Sequence, residues 1–192
     1  MNRRDLLATL AGSGLAVPLA GCSSPLRTDL RHDVVDDGPG ETVVRFLEGD
    51  SRVATMDYQV GRVVDRQVRF RASLSHDLKA VRSFRLRFRP AVGPNGVPPR
   101  VYLRRPGGYP FPPYRFESQR EFGWTLFEVP DLGPQAEATF TVEFRFDGVE
   151  TDSLDVSTDL HAELDAGLDP RTVVADASVT ASGYSPDGQS SP

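Results

Sequence analysis

Side chains able to do chemistry are few in this chain of 192 residues. Cys22 is its one cysteine, and its three histidines are His32, His76 and His161. No two histidines stand at the spacing of a zinc-binding pair such as H-E-x-x-H, so no transition-metal site is expected. Ser75-His76-Asp77 sets the three residue types of a hydrolytic triad side by side. Working triads draw their members from distant segments, and neighbours in an extended chain point to opposite faces, so the tripeptide reads as a turn. The sequence contains no G-x-S-x-G elbow, glycine-rich phosphate loop or dinucleotide fingerprint. Asp147, Glu150, Asp152 and Asp155 supply oxygens of the kind calcium takes, but not at the spacing of the helix-loop-helix calcium motif. They read as solvated acidic loops. The expectation is a protein that is not an enzyme and holds no cofactor or metal.

Recognition has a better candidate. RRPGGYPFPPYRFESQREF, residues 104–122, interleaves Pro106, Pro110, Pro112 and Pro113 with Tyr109, Phe111, Tyr114 and Phe116. Proline stiffens the backbone, and aromatic rings bring contact area at low entropic cost. Such a loop on a β scaffold suits a protein or glycan partner. The alternative is a loop folded over an open end of the domain with its rings buried.

The opening residues concern location. Arg3 and Arg4 precede an uncharged run from Leu6 to Gly21, which ends in Leu19-Ala20-Gly21-Cys22. A basic start, an apolar stretch and small residues before a cleavage point describe an export signal. The run is shorter than the roughly 20 apolar residues of a membrane-spanning helix, and glycine and proline interrupt it. Arg3-Arg4 followed by Asp5-Leu6-Leu7 resembles the twin-arginine export signal, whose substrates usually cross the membrane folded. Leu19-Ala20-Gly21-Cys22 resembles the lipobox of exported lipoproteins. That resemblance implies cleavage before Cys22 and a diacyl-type lipid on its thiol. An odd cysteine in an exported chain calls for such an explanation. It would also leave no thiolate for a copper site and no disulfide for the fold.

Lys79 is the only lysine; the other basic residues are arginines. Few lysines, abundant Asp and Glu, and twin-arginine export together resemble the proteins of salt-loving archaea. Val43 to Phe127 carries 16 basic and 7 acidic residues, whereas Glu128 to Pro192 carries 2 and 14. A nucleic-acid surface is one reading of the basic half. An exported protein without a nucleic-acid-binding motif favours the other, in which the halves meet and neutralise each other.

The elements that must position these residues alternate with period two. In QVRFRASLS, Val68, Phe70, Ala72 and Leu74 share one face and Gln67, Arg69, Arg71 and Ser73 the other. Phe84, Leu86 and Phe88 alternate with Arg85, Arg87 and Arg89, and Phe140, Val142, Phe144 and Phe146 with Thr139, Thr141, Glu143 and Arg145. Leu154, Val156, Leu160 and Leu164 alternate with acidic and polar residues. Fainter strands are expected over 42–48, 53–64, 100–104, 123–129 and 172–181. The fold class predicted is all-β, an antiparallel β-sandwich of about eight or nine strands, immunoglobulin-like in the broad sense. The domains expected are a signal peptide over 1–21, a lipidated Cys22 with a flexible tether over 22–41, the sandwich over 42–181 and a disordered tail over 182–192. The arginine ladder at 85, 87 and 89 and the acidic ladder at 155, 159 and 163 are expected on neighbouring strands. The reading is a lipoprotein on the outer face of the cytoplasmic membrane, holding the membrane through Cys22 and serving as an envelope binding or structural module. A small-ligand or calcium-binding lipoprotein and a hydrolase remain as alternatives.

Overall fold

Alternation of apolar and polar residues builds a chain of strands. The structure, a computed structural model, describes residues 27–104, 113–119, 123–132, 139–165 and 172–184. In chain order the strands are β1 (Arg27–Asp29), β2 (Arg31–Gly38), β3 (Glu41–Glu48), β4 (Ser51–Val60), β5 (Gln67–His76) and β6 (Ala80–Pro90). They continue with β7 (Arg100–Arg104), β8 (Arg115–Gln119), β9 (Trp124–Val129), β10 (Thr139–Asp147), β11 (Val156–Asp165) and β12 (Thr172–Ala181). One sheet runs β1-β12-β11-β6-β9-β8 and the other β2-β3-β4-β5-β10-β7. We call these the first and second sheets. All pairings are antiparallel except β1 with β12, where Arg27 lies beside Thr172. The fold is the expected antiparallel β-sandwich, immunoglobulin-like in its broad architecture.

The inward faces meet in an aromatic seam. Val68, Phe70, Ala72 and Leu74 of β5 and Phe84, Leu86 and Phe88 of β6 are all buried. Phe88 reaches across the gap to Phe144, with ring centroids 4.5 Å apart, and Phe70 touches Phe88, Phe144 and Phe146 at 5.5–6.0 Å. Each sheet sets a strand of the acidic half beside a strand of the basic half, β10 between β5 and β7 and β11 beside β6. Arg71 stands opposite Glu143 in one sheet and Arg87 opposite Asp159 in the other. The two halves therefore intermingle in one fold.

Three expectations need correction. The strands number twelve among the described residues, not eight or nine. The expected tether over 22–41 is structured from Arg27 onward: β1 and β2 fill most of it, and Leu30 is buried, its N–H donating to the Val174 carbonyl at 2.9 Å. The polar sequence RHDVVDDG pairs with β3 from Arg31 to Gly38, so backbone hydrogen bonds hold this edge strand without an apolar face of its own. Residues 182–184, expected in the disordered tail, have a defined place, and the rest of that stretch lies outside the described residues. The Gly183 N–H donates to Asp155 Oδ1 at 2.9 Å, and the Arg62 guanidinium lies 4.1 Å over the Tyr184 ring.

Tyr58 is the odd member of the core. It is fully buried beside Phe70, and its hydroxyl has no hydrogen-bond partner of good geometry. Thr158 stands close, but its hydroxyl donates to the Val179 carbonyl at 3.1 Å. Burial drives the phenol's pKa far above the ordinary tyrosine range; the Thr158 hydroxyl weakly opposes the shift and the Asp159 charge adds to it.

Two outcomes are expected. Removing residues 1–26 leaves the melting temperature unchanged, whereas removing 1–38 lowers it by several degrees, because β3 loses its paired neighbour and becomes a bare edge; thermal denaturation monitored by circular dichroism checks this. Tyr58→Phe stabilises the fold by up to about 1 kcal/mol, since a buried unpaired hydroxyl costs about that much or more. A pKa raised by folding leaves this group's contribution complete below about pH 10 and drains it as pH rises beyond. Urea titrations at pH 8 and 10.5 should therefore show a smaller loss of stability in Tyr58→Phe than in the native chain.

Candidate functional site

Strand alternation that buries one face of the first sheet must expose the other. The exposed face holds a broad groove of about 770 Å³. Register lines its residues into rows that cross five strands. One row runs Asp176 (β12), His161 (β11), Arg85 (β6), Glu128 (β9) and Arg115 (β8). The next runs Ser178, Asp159, Arg87, Leu126 and Glu117. His32 of β2 also lines the groove.

Each carboxylate bordering the arginines already has another partner. Asp176 Oδ1 lies 2.6 Å from His161 Nδ1, and the Ser178 hydroxyl donates to Asp159 Oδ1 at 2.9 Å. Glu128 stands 4.0 Å from Arg115, whose Nε donates to Glu117 at 2.8 Å. The Glu117 hydrogen bond raises the Arg115 pKa, with the Glu117 and Glu128 charges adding to it. Among the described residues no carboxylate comes within ion-pair distance of Arg85, Arg87 or Arg89. Arg87 and Arg89 instead lie 4.3 and 5.0 Å over the ring of Trp124, the only tryptophan in the sequence. Exposed ion pairs of this kind contribute about 0–1 kcal/mol each, so the face adds little to folding.

His161 with Asp176 supplies a base and the carboxylate that orients it, two parts of a hydrolytic triad. The third part is missing at the ring's other nitrogen, which faces the Glu163 carboxylate at 3.9 Å. The nearby Ser178 hydroxyl is spent on Asp159. Among the described residues this arrangement brings carboxylates to both ring nitrogens and no nucleophile.

The other predicted residues are dispersed. His76, placed after a strand by the sequence, ends β5 and is buried, with Nδ1 2.9 Å from the Leu78 carbonyl. Ser75 turns its hydroxyl to Thr139 at 3.2 Å and Asp77 is exposed, so the tripeptide forms no triad. His32, expected in the tether, lies exposed on β2. Glu150 is held by Arg66 at 3.1 Å and Asn95 at 2.8 Å, Asp147 by Arg145, and Asp155 by Gly183. No group of three or more His, Cys, Asp and Glu residues is placed to hold a metal among the described residues. Of the aromatic loop, Tyr109 and Phe111 lie outside the described residues. Tyr114 and Phe116 are half-buried at the core margin, their ring centroids 5.8 Å from Phe127 and 6.2 Å from Phe144. These two serve packing rather than an open recognition loop, and Arg115–Gln119 is strand rather than loop. Arg3, Arg4, Leu19, Ala20, Gly21 and Cys22 also lie outside the described residues. The two expected ladders do share a sheet. Their register sets Arg87 opposite Asp159 but Arg85 opposite His161 and Glu163 opposite Ser83, while Asp155 precedes β11. The sequence reading missed Asp176, Ser178 and Glu128 as groove residues and Trp124 as the ring under Arg87 and Arg89. Alternation alone marks them as outward-facing, but only strand order makes them neighbours.

Fold and face together define a β-sandwich domain with one exposed sheet face organised into rows of charge. The chain belongs to the family described as a domain of unknown function, DUF8121, whose model matches residues 27–182. A search of curated proteins finds no match to the chain. Among solved structures, the GAE domain of GGA2p from Saccharomyces cerevisiae is 10% identical, covering 79% of this chain and 96% of that one, with a TM-score of 0.36. The collagen-binding domain from a Staphylococcus aureus adhesin is 9% identical over 64% of this chain and 97% of that one, also with a TM-score of 0.36. The N-terminal periplasmic domain of ScsB from Proteus mirabilis is 9% identical over 72% of this chain and 49% of that one, with a TM-score of 0.31.

Trp124 is a built-in reporter for this face. Replacing Arg87 and Arg89 together with Ala should shift Trp124 emission to the red as its ring gains water. Stability should fall by no more than about 1–2 kcal/mol, the sum of two exposed cation–π contacts. Steady-state fluorescence and urea titration of the same samples check both.

Proposed function

We propose that the chain is an exported lipoprotein, anchored by lipid at Cys22 to the outer face of the cytoplasmic membrane, whose β-sandwich is a non-catalytic module that binds a protein or glycan of the envelope. The observation that carries the reading is the position of Arg27. Both sheets are built from residues after Leu26, and the family match starts at the same point. The segment ahead of it carries the twin arginines, the uncharged run and Leu19-Ala20-Gly21-Cys22, the features of addressing and anchoring. The groove supports the binding role: it is broad, lined by charged and apolar side chains and nearly neutral to stability, with the guanidinium groups of Arg85 and Arg87 unclaimed by carboxylates among the described residues. Among the described residues His161 faces carboxylates at both ring nitrogens rather than a nucleophile, which supports a non-catalytic role. The His161–Asp176 contact at 2.6 Å is the one observation that favours a hydrolase instead.

The intact mass of the native protein from the membrane fraction tests this reading. The expected species is residues 22–192 plus lipid, and a Cys22→Ser variant should leave the membrane or stay unprocessed. A full-length mass with a free thiol would overturn it. Hydrolysis of ester or peptide substrates that disappears in His161→Ala would favour the hydrolase.

A further inference from the structure

The anchoring reading leaves little chain between the membrane and the fold. Cys22 and Arg27 are separated by only Ser23, Ser24, Pro25 and Leu26. Five Cα steps at about 3.3–3.6 Å each reach at most about 18 Å. The sandwich is longer than that: a ten-residue strand such as β11 rises about 33 Å. A leash shorter than the body it holds restricts which end of the body can touch the membrane.

The register identifies that end. Arg27 lies beside Thr172, Thr172 beside Asp165, and Asp165 beside Ala80, one row across the first sheet at the start of β12 and β6 and the close of β11. The Lys79 N–H donates to the Asp165 carbonyl at 3.0 Å, which ties the turn at Asp77–Lys79 to the same row. That turn follows His76 at the close of β5, and the Asp77 N–H donates to the Val53 carbonyl at 3.1 Å, which brings in the start of β4 and the hairpin at Gly49-Asp50. At the opposite end lie the connections 61–66, 91–99 and 148–155. Glu150 knits these together through Arg66 and Asn95, and the Arg66 carbonyl accepts the Gly148 and Val149 N–H groups at 2.9 and 3.0 Å. Val64, Val92 and Val97 are exposed there.

We infer that the lipidated protein stands on the membrane on the end formed by the Gly49-Asp50 hairpin and the Asp77–Lys79 turn, with lipid headgroups as the partner of that end and the Glu150-linked loops turned outward. The inference rests on lipid attachment at Cys22. Among the described residues Asp50 and Asp77 share this end with Arg52 and Lys79, so its charge is mixed. The length of the leash sets the orientation. The groove of the first sheet then stands upright from the membrane, open to a partner approaching from the side.

The test uses the full chain purified from its membrane, with a fluorophore on one added cysteine. Asp50→Cys and Asp77→Cys report the near end, and Val64→Cys and Val97→Cys the far end. All four sites are exposed, and each pair holds a second variant should one fail to fold. Intact mass first establishes the lipid on Cys22. The protein is then reconstituted into phosphatidylcholine vesicles carrying nitroxide quenchers on the headgroup. The expected result is about threefold or greater quenching at the near-end sites over the far-end sites, unchanged in 1 M salt. Inserting 20 Gly/Ser residues after Leu26 should erase the difference. Equal quenching at both ends of a lipidated chain overturns the orientation while leaving the anchor intact. A mass without lipid, together with no quenching at any site, overturns the anchor and the orientation with it.

Discussion

Contact between Phe88 of one sheet and Phe144 of the other, with Phe70 and Phe146 around them, is the constraint on which the rest of the structure depends. The sole cysteine lies ahead of the fold, so no disulfide can cross-link the domain. Burial of apolar area between the sheets must therefore supply the cohesion. Each fully buried phenylalanine contributes about 1.5–3 kcal/mol, and close ring packing adds to that. Phe84, Phe127 and the half-buried Phe116 and Tyr114 extend the same seam. The aromatic stretch that looks like a recognition loop in the sequence thus gives part of its rings to the core.

Once that seam sets which residues face inward, the composition of the outer face follows. Arg85, Arg87 and Arg89 of β6 face outward because Phe84, Leu86 and Phe88 between them face the core. The outer face contributes little to stability, which leaves its side chains available for contacts beyond the chain. Its organisation into rows comes from strand order. Asp176, His161 and Arg85 are far apart in sequence and become adjacent only because β12, β11 and β6 are neighbours.

The pairing of β1 with β12 joins the start of the fold to its end. Through it, the segment ahead of Arg27 meets the body at one corner of the first sheet. A polar edge strand, β2, then carries the chain across to the second sheet. Three residues of parallel pairing and the buried Leu30 hold this corner together.

Period-two alternation was enough to read the all-β class, the sandwich and the inward faces of β5, β6, β10 and β11, because a half-buried strand must alternate wherever its sheet has one wet side. The resemblance of residues 1–22 to an export signal and lipobox is likewise read from local order. The edge strand β7 was legible, but the edge strands β2 and β8 escaped this reading, because backbone pairing, to which polar and apolar residues contribute alike, places them in their sheets. The charged groove escaped it too, although His161 and the arginine and acidic ladders were visible one by one. Which charges meet depends on strand order and register, and both are decided by how two sheets close over a shared core. No single segment of sequence encodes that closure. The alternation determined which side chains are wet, and the tertiary structure alone decided which of the wet ones are neighbours.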